Sequence, residues 1–396
     1  MNPTPHSSSG QILPYFQPII AADRLTVYGY EVLGRIQKEE GDLRSLGSFF
    51  HDEEISMQLK SQADQRLRIA AMEQFSKAQA SGKLFLNVNP SWLSQQPSPA
   101  QTLDQFGCHR PISPQQIVLE ITEGSFQHDM DVLKRWIEQH REQGFTIAID
   151  DVGKGLSNLD RIASIHPDIL KIDMQLTKMG TSSTLHQAVI ESLALLSSKI
   201  GADLLFEGIE RKEDLRMAWQ HGGRYYQGYL FSRPIPAPFA VELDHAHWTA
   251  ELFRWIDEEK EILRQKWLLA EVLNEQVKHL NREMAQTGYT DPAIRQLLPH
   301  LPSSCFRVYV CDQRGYQLSA NFRRLAGKWV EQSEFRHNNW SWRPQLMQTL
   351  AKMQWQGSGI LSEQYLDIET RQPVCTFSFP LDSNHHLMLD IDDPAE

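Results

Sequence analysis

The chain has 396 residues, is 41% hydrophobic and carries a formal net charge of −11. That length gives room for two domains with real cores, and the acidic balance excludes a general binder of nucleic-acid polymers, which needs a basic face. The four cysteines, Cys108, Cys305, Cys311 and Cys375, lack metal-type spacing, the start from Met1 to Gly10 is polar, and no uncharged run reaches membrane-spanning length; these features predict a cytoplasmic protein without membrane contact.

Residues 1–13 read as a flexible tail. Tyr15 to Ile20 is a first strand and Val27 to Ile36 a second, which carries Glu31 and Arg35. Four residues apart on an extended strand, these two share a face. They form either a strand ion pair, or an acid for a metal beside a cation for a phosphate. Glu53 to Ala80 has a helical pattern. Leu84 to Asn89 is a strand ending in the amides Asn87 and Asn89, and Ile117 to Glu123 is one ending in acids, with Glu120 and Glu123. A helical segment follows with Met130, Leu133, Ile137 and His140 on one face, and Gly144 stops it. Thr146 to Asp151 is a buried strand with two adjacent carboxylates, Asp150 and Asp151, before the glycines 153 and 155. Pro167 to Asp173 places Lys171 inside an apolar strand. Helical Leu185 to Lys199, the strand Leu204 to Gly208 with Glu207, and the strand Tyr225 to Phe231 with Gln227 complete the series.

Eight strands separated by helical stretches over about 240 residues fit a TIM-type (β/α)8 barrel, an α/β fold in which polar groups at strand C-termini converge. The convergent set is Glu31, Asn87, Glu120, Asp150, Asp151, Lys171, Glu207 and Gln227. Carboxylates packed together cannot all stay ionised without compensation. Divalent cations are the natural compensation, and all-oxygen donors favour hard ions: Mg2+ or Mn2+, with Ca2+ a looser fit. Asp150 and Asp151 can serve two ions, which suits two-metal phosphodiester cleavage. Lys171 is placed to orient or activate the attacking water, or to stabilise charge.

These residues carry a resemblance. The chain resembles the EAL-domain family of cyclic-di-GMP phosphodiesterases over about residues 14–238. The signature stands here as Glu31-Val32-Leu33 with Arg35 after it. It is joined by Asn87, Glu120-Ile-Thr-Glu123, Asp150-Asp151, Pro167 to Asp173, Glu207-Gly-Ile-Glu210 and Gln227 to Pro234. The resemblance implies a barrel whose first strand runs antiparallel to the rest, and hydrolysis of cyclic-di-GMP to linear 5′-pGpG. By position it implies that Glu31, Asn87, Glu120, Asp150, Asp151 and Glu207 hold two ions. Glu31, Lys171 and Glu207 are then catalytic, Arg35 and Gln227 bind substrate, and Glu123 steadies the loop after the aspartates. Mg2+ or Mn2+ is expected to support turnover and Ca2+ to inhibit it.

One loop departs from the family pattern. The usual Asp-Asp-Phe-Gly-Thr-Gly-Tyr-Ser-Ser-Leu is here Asp150-Asp151-Val152-Gly153-Lys154-Gly155-Leu156-Ser157-Asn158-Leu159, and Asn89 replaces a common serine. The metal-centre positions are intact. The altered loop keeps a second function open, a cyclic-di-GMP receptor with little or no turnover.

The barrel domain is expected over residues 14–240, with Pro234 to Pro238 as a proline-rich exit. A connecting helix follows over 248–286, where Ile256, Leu263, Ala270, Val277 and Met284 recur every seven residues, a seam suited either to a helix packed on its own domains or to a connector or homodimer. Residues 288–396 read as a small α/β sensory domain of PAS or Cache type. It is similar to the carboxy-terminal domain of EAL proteins of the YkuI type. Phe306 to Cys311 and Tyr316 to Ser319 form a hairpin pattern about Asp312 to Gly315. Trp340, Trp342 and Arg343 suit a small anionic ligand, and core packing of the tryptophans is the plain alternative.

Overall fold

Nine strands build the first sheet. They are β1 (Gln11–Ala21), β2 (Thr26–Gln37), β3 (Leu43–Ser45), β4 (Lys83–Val88), β5 (Ile117–Thr122), β6 (Thr146–Val152), β7 (Ile169–Ile172), β8 (Asp203–Phe206) and β9 (Gly223–Gln227). In this computed structural model, the residues described are 11–37, 43–52, 54–88, 112–122, 130–154, 159–238 and 243–392. The chain divides into two units, Met1–Glu251 and Leu252–Glu396.

From β2 through β4 to β9 each strand pairs in parallel with the next. The first strand closes the barrel between the two ends, antiparallel to both β2 and β9, and β3 hangs on the outer edge of β2. Eight strands thus form a closed α/β barrel, as the sequence pattern predicts, with its first strand reversed, as the family resemblance implies. The intervening helices begin where polar groups satisfy free N–H groups. Ser56 accepts from Leu59 N ahead of Met57–Lys77, and Asp173 accepts from Gln175 N ahead of Met174–Gly180.

Side chains on a strand alternate between faces, so inward residues recur every two positions. One buried layer of the barrel interior consists of Ile19, Ala21, Phe85, Val118, Ala148, Ile169, Leu205 and Tyr225. Two residues further along β4 to β9 stand Asn87, Glu120, Asp150, Lys171, Glu207 and Gln227. On the reversed β1 the same step runs backwards, from Ile19 to Gln17, which sits opposite Glu31 of β2. The polar layer therefore stacks on the apolar layer as a consequence of strand periodicity.

The second unit is an antiparallel sheet. Its strands are β10 (Cys305–Asp312), β11 (Asn321–Leu325), β12 (Lys328–Gln332), β13 (Ile360–Leu361), β14 (Tyr365–Leu366), β15 (Pro373–Pro380) and β16 (His385–Asp392). They run in the order β12-β11-β10-β16-β15-β13, with β14 on β15. One sheet face buries Val308, Val310, Leu387, Leu389 and Ile391 with Leu273, Val277, Leu280, Ile294 and Leu297 of two helices. The other face presents Tyr309, Cys311 and Met388 to Leu346, Leu350 and Met353 of the helix Pro344–Gln356.

The hairpin pattern is present as a short hairpin. Asp312 Oδ1 accepts from both Arg314 N and Tyr316 N in the turn, Asp312 N donates to Tyr316 O and Leu318 N to Val310 O, and Cys311 and Gln317 form an antiparallel bridge. One local expectation changes: among the described residues the long helix, His245–Thr287, buries no even seven-residue seam. Leu263 is 42% exposed, whereas Leu273, Val277 and Leu280 enter the second unit's core with Leu269 and Ala270 packed beside them. A helix docked on a globular core follows the 3.6-residue period, which drifts off a strict heptad.

Candidate functional site

The polar layer of the barrel is centred on Lys171. Its Nζ stands 2.6 Å from Glu120 Oε1, 2.7 Å from Glu207 Oε1, 3.0 Å from Asp150 Oδ1 and 3.6 Å from Glu31 Oε2. Lys171 and Glu120 are wholly buried. Burial opposes the lysine's charge, but Asp150, Glu120, Glu207 and Glu31 outweigh it and hold the ammonium well above the ordinary lysine range. Burial pushes the Glu120 carboxyl well above the carboxylate range, with Glu31 adding to it and Lys171 opposing. Glu207 is raised to about 8, mainly by burial, against the pull of Lys171. Its side chain keeps 19% of its surface exposed, whereas that of Glu120 has none.

One cation among four acids leaves an excess of negative charge. The contacts are close but poorly aligned: neither Glu120 oxygen nor Lys171 Nζ makes a directed hydrogen bond among the described residues. Nor, among those residues, are three acid, histidine or cysteine side chains already drawn together as ligands of one ion. The ammonium occupies the middle of the ring instead. The donor chemistry fits a hard divalent cation, since hard oxygen ligands with unspent lone pairs surround a site short of positive charge.

Glu31 is held from both sides. Gln227 Nε2 donates to Glu31 Oε2 at 2.6 Å and Asn87 Nδ2 donates to Oε1 at 3.3 Å. Gln227 also donates to Gln17 Oε1 at 3.3 Å, and Gln17 donates to Ser232 O at 3.4 Å. Gln17 was not foreseen from sequence; a glutamine inside the apolar run of β1, which pairs with the strand of Glu31, is the signal that marks it.

Asp150 and Asp151 are adjacent, so a regular strand would send them to opposite faces. The β6–β7 register shifts between Ile149 and Val152, and Asp151 takes φ +60°. A bulge re-aims side chains at a strand end, and aspartate tolerates the left-handed region better than most residues. Asp150 points to Lys171, while Asp151 is half-buried and bonds to Lys154 Nζ at 3.2 and 3.3 Å. Burial, then Asp150, raises the Asp151 carboxyl against the pull of Lys154.

Arg35 makes no ion pair with Glu31 among the described residues. Its Nη1 donates to Gly34 O at 3.0 Å and its Cζ lies 5.7 Å from the centre of the Tyr15 ring. The predicted loop residue Glu123, together with Asn89 and residues 155–158, lies outside the described residues.

The EAL domain family matches residues 5–234. The chain belongs to the EAL-domain family. This EAL-domain protein also matches, over residues 241–393, an EAL-domain associated signalling protein domain. It is 35% identical to the EAL-domain containing protein YkuI of Bacillus subtilis over 384 residues, 96% of this chain and 94% of YkuI. It superposes on the crystal structure of that protein in complex with substrate cyclic-di-GMP and calcium, with a TM-score of 0.88 at 34% identity, covering 97% of this chain and 96% of the other. The Klebsiella pneumoniae protein BlrP1, in a calcium and cyclic-di-GMP complex, is similar at 25% identity and a TM-score of 0.51, over 58% of this chain and 57% of that one. A manganese complex of BlrP1 matches at a TM-score of 0.50 and 25% identity, over 58% of each chain. The probable cyclic di-GMP phosphodiesterase PdeA of Escherichia coli is 29% identical over 235 residues, 57% of this chain and 31% of PdeA. Among the described residues no helix is long and apolar enough to cross a membrane.

Proposed function

We propose that this EAL-domain protein hydrolyses cyclic-di-GMP to linear 5′-pGpG in a reaction that depends on divalent cations. The observation that carries this reading is the ring of Glu31, Glu120, Asp150 and Glu207 around Lys171 Nζ, all within 3.6 Å. The calcium and manganese complexes of its relatives with cyclic-di-GMP support it. Glu31, Asn87, Glu120, Asp150, Asp151 and Glu207 are the residues that would hold two Mg2+ or Mn2+ ions. Bound there, the ions supply an activated water at neutral pH and polarise the phosphodiester.

The remaining side chains position and stabilise. With its acids shared by the ions, Lys171 turns its N–H groups to the attacking water and the developing charge. Arg35 takes a phosphate oxygen, since among the described residues its guanidinium spends only one N–H, on Gly34 O. Gln227 orients Glu31 as well as meeting substrate, and Glu123 steadies the loop. Ca2+, which is larger and less strict in geometry, supports binding and inhibits turnover. The protein acts in the cytoplasm as a homodimer, and the second unit regulates the first through the long helix.

The deciding experiment incubates the purified full-length protein with cyclic-di-GMP and Mg2+, Mn2+, Ca2+ or a chelator. Appearance of 5′-pGpG with Mg2+ or Mn2+ alone bears the reading out. A second reading, a receptor that binds without turnover, is favoured by the bond of Lys154 to Asp151, which sets a cation against one expected metal ligand. Binding without product under every metal supports the receptor. For regulation, a chain ending at residue 251 should differ from the full chain in rate or oligomeric state; identical behaviour removes the second unit as a regulator.

A further inference from the structure

We propose that the second unit holds a binding site for a small carboxylate, with Arg343 as its anchoring cation. The site is a pocket on one sheet face beneath the helix Pro344–Gln356, lined by Tyr309, Cys311, Trp340, Arg343, Tyr365 and Thr376 among others. It has room for about four water-sized groups, which sets the ligand at about three to five carbon atoms. Among the described residues no acidic side chain lines it.

The guanidinium is built in by aromatic rings. Arg343 Cζ lies 4.5 Å from the Trp340 ring centre, 5.7 Å from that of Trp342 and 5.9 Å from that of Tyr365. Stacking against rings occupies the faces of the guanidinium and leaves its N–H edge for a planar, two-oxygen partner. Trp340 is fixed in turn, since its Nε1–H donates to Gln317 Oε1 at 2.9 Å. Tyr365 OH donates to Thr376 Oγ1 at 2.7 Å and Thr376 Oγ1 donates to Asp390 Oδ1 at 2.7 Å, so these two hydroxyl hydrogens are spent within the wall and the anion is left to the guanidinium.

The charges next door single out Arg343. Arg307 pairs with Asp367 at 2.7 Å, Asp390 at 2.8 Å and Glu369 at 3.0 Å, and Arg323 pairs with Glu369 at 3.3 Å. Three arginines thus stand near three acids, and every acid is engaged by Arg307 or Arg323. Among the described residues Arg343 makes no ion pair. A half-buried cation without an anion is costly, and a short carboxylate supplies both the charge and the bidentate geometry that it lacks. The single guanidinium and the nearby acids disfavour a dianionic phosphate.

The test is calorimetric titration of the full-length protein with sodium propionate, lactate and pyruvate, and with propionamide, the uncharged counterpart of propionate. At least one acid should bind while propionamide does not, and Arg343→Gln should weaken that binding about tenfold or more. The proposal is overturned if none of the three acids binds, if propionamide binds as well as propionate, or if Arg343→Gln retains the parent affinity at an unchanged melting temperature. Should that variant fold poorly, the contrast of acid and amide on the parent protein decides the matter.

Discussion

Lys171 Nζ meets Glu120 Oε1 at 2.6 Å, and both side chains are sealed from solvent. A lysine so placed is tolerated only because acids surround it, and the acids are tolerated in part because of the lysine. Removing the ammonium with Lys171→Met should cost about 3–5 kcal/mol of stability in the presence of a chelator. Mg2+ or Mn2+ should restore part of that loss. Turnover should fall far more than affinity for cyclic-di-GMP, which marks a role in the transition state. Melting with and without metal, beside steady-state rates and binding, checks all three. Equal losses of rate and affinity would reassign Lys171 to substrate binding.

Glu31 is gripped by two amides and flanked by Tyr30 and Val32, both buried. Glu31→Ala should therefore keep the fold and lower kcat/KM about 100-fold or more. Gln227→Ala, which loosens the grip, should cost about tenfold, within the range of residues that orient a metal ligand. Circular dichroism and product formation measure the two effects. Near-parent turnover in Glu31→Ala would end its assignment as a metal ligand.

Lys154 competes for Asp151. Its ammonium is half-exposed and bonds to both carboxylate oxygens, so it must be displaced before Asp151 serves an ion. Lys154→Thr should lower the Mg2+ or Mn2+ concentration needed for half-maximal rate. A metal titration of variant and parent provides the check, and superimposable curves would show that the substitution in this loop is neutral.

The second unit should lose stability in acid through Asp367. Burial alone would raise that carboxyl, but hydrogen bonds from Arg307 and Thr370 outweigh it and hold it well below the usual range. The stabilisation is then complete above the unfolded carboxylate value, about 3.9, and is lost as the pH falls below that toward the folded value. Melting of the parent should drop more steeply between about pH 4.5 and pH 3 than that of Asp367→Asn, which cannot titrate there. Parallel slopes would remove Asp367 from the acid response. Arg307→Met, by contrast, should destabilise at neutral pH by about 3–5 kcal/mol, because it strands Asp367 and Asp390.

The barrel and the ring of acids were legible because both follow from periodicity, whereas the reversal of the first strand came only with the family resemblance. An acid or lysine at the end of an apolar strand has one place to go in a barrel, and Glu120, Asp150, Lys171 and Glu207 went there. Gln17 escaped notice because its role depends on the pairing of β1 with β2 and β9, which is non-local. The division of labour between Asp150 and Asp151 was equally hidden. It rests on a bulge and a positive φ, and neither leaves a pattern in two identical letters. The heptad on the long helix misled for a related reason: a seven-residue count and a 3.6-residue helix agree over a few turns and then part, which leaves Leu263 in solvent.

The reversed first strand also sets an order of events during synthesis. Gln17 and Gln227 bond across 210 residues of sequence, and β1 has no second neighbour until β9 exists. At ribosomal speeds of roughly 5–20 residues per second, the intervening chain takes about ten to forty seconds to emerge. Through that interval one edge of the β1–β2 hairpin stays open to other strands, and Glu31 lacks the amide that aims it. Closure of β1 on β9 is therefore the last step in building this wall: the acids of β2 to β8 are all made before Gln227 arrives to hold Glu31 in place.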